Sequence, residues 1–513
     1  MKRLPIGIQS FEVIREENYY YVDKTPFVKR LADEGKYYFL SRPRRFGKSL
    51  FLDTLRQAFL ARRELFSGLY LHNNWDWDKS YPVIHISFGA GVHRSVEELR
   101  ITFQEILRDH ERSYGIELTY PSLKGKFREL IECLKNKSRN KVVILIDEYD
   151  KPILDNIDRR DVAIEMRDEL RNFYSVIKDA DQHIKFCFIT GVTKFSKVSI
   201  FSGLNNLEDI TLNGFFSTLC GYSQRELEDV FEDRLKGLDL QDIRHWYNGY
   251  SWGGERVYNP FDMLLFLRET RFRPFWFETG TPSFLIRLIQ DEKYLLPDLE
   301  RVEVSDAALG SFDVDILELE TILFQTGYLT IKEKLEAGPA TSYILAYPNL
   351  EVRMSFTDAV LHHFTRSVNK KERNRMGLYR LLKSNNLAAL KELFHSFFAS
   401  IPYDWYRKNE LSGYEGYYAS IFYCYFTALG LDVRVEEATN HGRLDMAVLF
   451  EGRCYVFEFK VVELSPEGRA MEQLKKKRYH EKYSDKAREI YLIGVEFSKK
   501  ERNIVRFEVE KVA

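Results

Sequence analysis

At 513 residues the chain exceeds what one hydrophobic core ordinarily organises, and 44% hydrophobic with 30% charged residues is a folded composition that excludes large-scale disorder. Its 76 basic and 77 acidic residues give a net charge of -1, which excludes a general pull toward polyanions and leaves any such contact to a local patch. The five scattered cysteines, Cys133, Cys187, Cys220, Cys424 and Cys454, lack metal or redox spacing and read as reduced core residues. No apolar run is long enough to cross a bilayer, and Pro5 and Gly7 interrupt the start before a signal core could form, so a cytoplasmic protein without a membrane partner is expected.

Along the chain, the apolar runs 37–40, 83–86, 142–146 and 186–189 predict strands, and 50–60 and 96–114 carry helical periodicity between them. That alternation predicts a mostly parallel sheet covered on both sides, a first domain over 1–220. Ser223-Gln224-Arg225-Glu226 is a capping box that opens a helix toward Leu235 and a helical region with it. The aromatic and glycine cluster from His245 to Gly254 reads as an ordered turn, Asn259-Pro260 as a break, and 263–267 as an apolar helix. A helix over 317–325 followed by strands at 328–331 and 343–346 is the order of a winged helix, and equally of a small packing module with no nucleic-acid role. These elements make a middle domain over 221–370. Residues 371–513 form the third domain: a charged helical lead-in, a strand at 433–436, a hairpin over 444–460, a helix over 466–483 and a strand at 490–495.

Residues 37–49 have the strand, loop and helix-start context of a phosphate loop. Gly47-Lys48-Ser49 would offer backbone N–H groups and a helix N-terminus to phosphates, Lys48 adding charge and Ser49 reaching Mg2+, with Arg44, Arg45, Phe46 and Leu50 completing the nucleotide-binding segment. Arg42 occupies the place of the usual first glycine, and a lone Gly-Lys-Ser is equally an exposed helix start. The strand 142–146, however, ends in Asp147-Glu148, at the edge where open α/β sheets bind ligands. Asp147 is expected to hold Mg2+ through water and Glu148 to polarise the attacking water. Thr193, after the strand 185–189, is the candidate for sensing the γ-phosphate; a plain strand-ending turn is the alternative.

Asp23-Lys24-Thr25, the loop Arg42-Pro43-Arg44-Arg45-Phe46-Gly47-Lys48-Ser49-Leu50, Ile146-Asp147-Glu148-Tyr149-Asp150 and Tyr258-Asn259-Pro260-Phe261 together resemble the bacterial AAA-ATPase-like family that commonly carries a C-terminal PD-(D/E)XK nuclease-superfamily domain. The resemblance spans nearly the whole chain. It implies an α/β fold with a P-loop ATPase sheet and a nuclease-like α/β domain, to which the order of elements adds a helical and winged-helix-like middle region. In that family the arginine-rich loop replaces the usual first glycine, so Arg42 fits the family pattern.

In the last domain, Asp445 precedes a hairpin whose return strand is Cys454-Tyr455-Val456-Phe457-Glu458-Phe459-Lys460. Alternation puts Glu458 and Lys460 on one face with Val456, and Tyr455, Phe457 and Phe459 on the other. Two acids and an amine are what metal-assisted phosphodiester hydrolysis needs: Asp445 and Glu458 to hold Mg2+, Lys460 to orient water or offset developing charge. Glu415, opening an apolar helix, could complete the site, and Gln473 on the following helix could contact substrate. This order resembles PD-(D/E)XK nucleases of the Holliday-junction-resolvase type. The alternative is a cross-strand ion pair between Glu458 and Lys460 on a solvated face. Lys475-Lys476-Lys477-Arg478 could touch a DNA backbone, although a solvated helix face explains it better.

The two constellations predict an enzyme that binds and hydrolyses ATP with Mg2+ and so controls cleavage of nucleic acid, DNA in preference to RNA. A homo-oligomer is compatible with this, since ATPases of this broad class often take an arginine from a neighbour. The competing reading is a nucleotide-driven switch or assembly protein whose nuclease-like domain only binds DNA or a protein partner. A P-loop transferase has less support, because Glu148 directly after Asp147 favours water as the acceptor.

Overall fold

The wholly apolar run at 142–146, β-branched except at Leu145, forms a strand buried along its full length, inside a parallel sheet where neither face meets water. The computed structural model describes residues 1–194, 200–201, 204, 206–275, 285–286, 288–289, 294–310, 318–365, 367–399, 415–439 and 442–512. They form two units, residues 1–276 with 303–349, and residues 277–302 with 350–513.

The first unit holds β1 (Tyr37–Ser41), β2 (Val83–Ser87), β3 (Val142–Asp147), β4 (Ile184–Gly191) and β5 (Glu208–Asp209), ordered β2-β3-β4-β1-β5 with every pair parallel. Helices α1 (Lys48–Phe59) and α2 (Val96–Tyr114) form where the periodicity puts them, and α3 (Leu123–Ser138) and α4 (Arg160–Asp179) also fall between strands. Phe186 and Phe188, two apart and so on one face of β4, meet Phe59 and Phe51 of α1 with ring centres 5.1 and 5.8 Å apart. Phe173 of α4 stacks on Phe103 of α2 and Phe127 of α3 at 3.8 and 4.6 Å.

Three readings of the middle region need correction. The helix toward Leu235 breaks at Phe231 into Gln224–Val230 and Glu232–Leu235, after a capping box in which Ser223 and Glu226 bond each other's backbone N–H as expected. His245-Trp246-Tyr247 do not belong to a turn. They complete the helix Leu240–Tyr247, capped by Asp239, and only then does the chain form β7 (Asn248–Tyr250), paired with β8 (Val257–Tyr258), which also pairs with β6 (Tyr222–Ser223). The aromatic residues that suggested a loop are helix-packing residues: Trp246 stacks on Phe272 at 5.3 Å. Asn259 caps α5 (Pro260–Glu269) with Pro260 in its first turn, so this helix starts three residues before the apolar run. Further on, the helix Leu319–Thr326 is followed by the hairpin β10 (Thr330–Ala337) and β11 (Ala340–Ala346), with β9 (Val302–Ser305) pairing along β11.

The second unit carries α6 (Leu350–Thr365), α7 (Val368–Lys383), α8 (Leu387–Ala399), α9 (Glu415–Ala428) and a mixed sheet ordered β12 (Asp432–Thr439), β13 (Gly442–Phe450), β14 (Arg453–Val462), β15 (Glu489–Ser498), β16 (Asn503–Lys511). The β13–β14 turn is Glu451-Gly452, both with positive φ, the tight hairpin that returns β14 in register with β13. Phe457 and Phe459 meet Phe422 of α9 at 5.9 and 5.0 Å, while Val456 on the other face packs with Met471 and Leu474 of α10 (Arg469–Lys477). Strand β14 therefore divides its side chains between the faces as its alternation predicts. Helix α10 is shorter than the expected 466–483: Gly468 at φ +78° starts it, Arg478 at φ +46° ends it, and a 3-10 turn, Tyr479–Tyr483, follows. All five cysteines are free, and among the described residues no helix is long and apolar enough to cross a membrane.

Candidate nucleotide and phosphodiester-cleavage sites

Strand β4 lies between β1 and β3, with Ser41 beside Gly191 and Ile146 beside Ile189, so the loop after β1 and the acids after β3 open at the same sheet edge. Gly47, at φ +90° with open space where a Cβ would stand, turns the loop into α1. A cavity of about 390 Å³ lies over this turn, lined by Arg44, Arg45, Gly47, Lys48, Ser49 and Leu50 with Glu148 opposite. Burial lowers the pKa of Lys48, against the pull of Asp147, and its Nζ donates to the carbonyls of Arg42 and Pro43 at 2.8 and 2.9 Å. Asp147 is buried and accepts from the Thr190 hydroxyl at 3.4 Å. Glu148 follows at φ +53°, and burial, helped by Asp147, raises its pKa.

Thr193 is fully buried, and its hydroxyl and N–H both donate to Asp150 at 2.7 Å. Arg45 reaches over the ring of Phe261 at 3.8 Å, and Phe46 is held edge-on by Tyr250 and Trp252 at 4.7 and 5.3 Å.

The second site is built on β14. Glu458 is 0% exposed, which removes the reading of a solvated strand face. Its Oε1 lies 3.2 Å from Lys460 Nζ and accepts from Gln473 Nε2, while its Oε2 has no hydrogen-bond partner among the described residues. Asp445 accepts the Phe459 N–H at 2.8 Å, which ties β13 to β14 next to Glu458. Burial, reinforced by Asp445, pushes the Glu458 carboxyl up to about 8. Burial would lower Lys460, but Glu458, Asp445 and Glu415 outweigh it and leave the amine above its ordinary value. Glu415 Oε2 is 3.4 Å from Lys460 Nζ, and its Oε1 accepts the Val461 N–H at 3.3 Å. Glu415, Asp445, Glu458, Lys460 and Gln473 are thus brought together. Lys475, in the basic run, instead pairs with Glu510 at 2.5 Å.

Residues 5–201 match the family described as Predicted AAA-ATPase, and residues 413–507 match the PD-(D/E)XK nuclease superfamily. The "Uncharacterized protein in vnfD 5'region" of Azotobacter chroococcum mcd 1 is 52% identical over 512 residues, covering 100% of this chain and 99% of that one. The chain belongs to the AAA-ATPase-like family with a C-terminal PD-(D/E)XK nuclease-superfamily domain.

Sequence marked Arg42 only by its place in the loop and did not single out Glu496, Tyr479 or Gly494, which also shape the AAA-ATPase-like and PD-(D/E)XK sites. Arg42 is 0% exposed and donates to the carbonyls of Ser41 and Thr211 at 2.9 Å and of Phe216 at 3.2 Å, so it braces the loop from inside. In the PD-(D/E)XK unit, buried Glu496 accepts the N–H groups of Glu467 and Ala470, anchoring the start of α10, and Tyr479 packs beneath the same helix. Gly494, beside Glu458 in register, lets α10 approach: a Cβ there would stand 2.7 Å from the Met471 nitrogen. A glycine inside an apolar strand is the one local signal that marks such an approach.

Proposed function

We propose that the protein binds and hydrolyses ATP in its first unit and thereby controls Mg2+-dependent cleavage of nucleic acid, DNA in preference to RNA, in its second. The nuclease half rests on Glu458, a wholly buried carboxyl with one oxygen unpartnered, set beside Asp445. A wholly buried carboxyl beside a second acid is costly to ionise even with Lys460 at 3.2 Å, and a hard divalent cation offsets that cost through oxygen ligands. Among the described residues no group of three or more His, Cys, Asp or Glu is arranged to hold a metal. Two carboxylates nevertheless fit Mg2+, which usually keeps several waters and takes only one or two protein acids.

Asp445 and Glu458 would hold the ion at the cleavage site, and Ser49 with Asp147 the one accompanying ATP. Bound Mg2+ supplies positive charge to phosphate oxygens and lowers the pKa of water. Lys460 donates from Nζ to the attacking water or to the charge that develops on the phosphate. Gln473 fixes the Glu458 carboxylate through its amide, and Glu415 steadies Lys460.

In the ATP site Lys48 leaves the carbonyls of Arg42 and Pro43 to meet the phosphates, while Gly47 and the first turn of α1 offer N–H groups. Glu148 takes the proton of the attacking water; a raised pKa suits a base working near neutral pH. A role for Thr193 at the γ-phosphate requires its hydroxyl to turn away from Asp150.

The test is cleavage of labelled duplex and single-stranded substrates by the full chain with Mg2+ or Mn2+. Asp445→Ala and Lys460→Ala should each lower the rate on the order of 100-fold or more; unchanged rates would reject the nuclease reading.

A further inference from the structure

Helix α7 has the sequence VNKKERNRMGLYRLLK, six basic residues to one acidic. Two of the six are paired: Lys371 with Asp358 at 2.5 Å, and Arg375 with Glu372 at 2.6 Å and Asp358 at 3.5 Å. The other four, Lys370, Arg373, Arg380 and Lys383, are exposed. Among the described residues none of the four has a carboxylate within ion-pair distance. At about 100° per residue they lie within an arc of roughly 140°, along a length of about 20 Å.

Several helical cations elsewhere in this chain take an acidic partner one turn away, as Lys29 does with Asp33, Arg30 with Glu34 and Arg128 with Glu132. Around these four, every residue three or four positions distant is uncharged or basic. Lys370 and Arg373, and again Arg380 and Lys383, sit one turn apart and repel. Within the helix, Arg380 and Lys383 gain from lying in its last turn, but no acid one turn away offsets the strip's mutual repulsion, which an external polyanion would relieve.

The opposite face of α7 is mounted on the elements that carry Glu415, Asp445 and Glu458. Leu378 and Leu382 are fully buried, Asn374 donates to the Tyr425 hydroxyl of α9 at 3.2 Å, and Tyr379 packs on Phe450 at the end of β13 at 5.7 Å. Arg453 at the start of β14 donates to the Leu382 carbonyl at 3.4 Å.

We propose that the outward face of α7 docks the phosphate backbone of duplex nucleic acid, a proposal that rests on the nuclease reading of this unit. Charge is complementary, and a strip of about 20 Å reaches phosphates on both sides of a groove about 12 Å wide.

The experiment titrates the full chain with a fluorescein-labelled 30-base-pair duplex in EDTA across a salt series, reading anisotropy. Lys370→Gln, Arg373→Gln, Arg380→Gln and Lys383→Gln combined should weaken binding at least about tenfold and lower the log–log salt slope by about 3, with ATP hydrolysis unchanged. Wild-type affinity and slope in this variant, while Asp445→Ala abolishes cleavage, overturn the strip and leave the nuclease reading standing. Neither binding nor cleavage of any nucleic acid by the wild type overturns both. Loss of binding to phosphatidylserine vesicles with duplex binding unchanged assigns the strip to anionic lipid and overturns the proposal.

Discussion

The guanidinium of Arg42 lies over the ring of Trp252, 4.1 Å from its centre. Burial lowers its pKa to about 10, and its bonds go to backbone carbonyls at 2.9 to 3.2 Å, so its charge is spent within the fold. The residue standing where other phosphate loops have a glycine is therefore a brace between the loop and the segment 211–216.

It follows that Arg42→Gly, which restores the common pattern, should not tighten ATP binding. It should destabilise the first unit by about 3 kcal/mol, since it strands buried carbonyls and empties the space under Trp252. Arg42→Lys should rescue little, because an ammonium cannot make the fork and the stack together. Urea unfolding followed by tryptophan fluorescence reads both changes.

Lys48→Ala should lose ATP binding, measured with a fluorescent ATP analogue, yet fold normally, because its present partners are loop carbonyls at the cavity wall. Glu148→Gln should bind the analogue as the wild type does and fail to hydrolyse ATP.

Mg2+ or Mn2+ added without nucleotide should raise the melting temperature of the wild type and not that of Asp445→Ala. At 100 times Kd the gain is about 2.7 kcal/mol. Glu458→Gln should respond to neither ion, because an uncharged amide removes one of the two acids that would hold it.

His85 on β2 gives the first unit a sensitivity to acid. Burial draws its pKa down to about 4 against the pull of Asp147, while the unfolded chain titrates near its ordinary 6.5. The folded pKa is the lower one, so the stability is present above pH 6.5, falls as the unfolded chain takes up a proton, and is fully lost once pH passes about 4. The loss approaches about 3 kcal/mol. Replacing His85 with Gln should flatten urea midpoints between pH 7 and pH 5; an unchanged pH slope would show that other groups carry it.

What could be read from the sequence was local. The apolar run ending in Asp147 and the Glu451-Gly452 turn each fix geometry through adjacent residues, so β3 and the β13–β14 hairpin form where the pattern puts them. Alternation alone placed Glu458 and Lys460 together, since a strand leaves no other choice of face. The burial of Glu458 could not be read, because α10 and Gly494, which close the space, come from outside the hairpin. Arg42 was opaque for the same reason: two of its carbonyl partners are 169 and 174 residues away. Strand β16 was missed because Arg506, Glu508 and Glu510 look like a solvated tail, whereas they form the polar edge of a sheet. Helix α10 ended early because of one backbone conformation, φ +46° at Arg478, to which composition gives no clue.

The most direct test of nucleotide control over cleavage is the rate of nucleic-acid cutting by the full chain without nucleotide, with ATP, and with a non-hydrolysable analogue, in wild type, Lys48→Ala and Glu148→Gln. The expected result is a rate that changes with ATP in the wild type, is blind to ATP in Lys48→Ala, and in Glu148→Gln with ATP matches the wild type held on the analogue. Equal cleavage in all three proteins, with and without ATP, would contradict it.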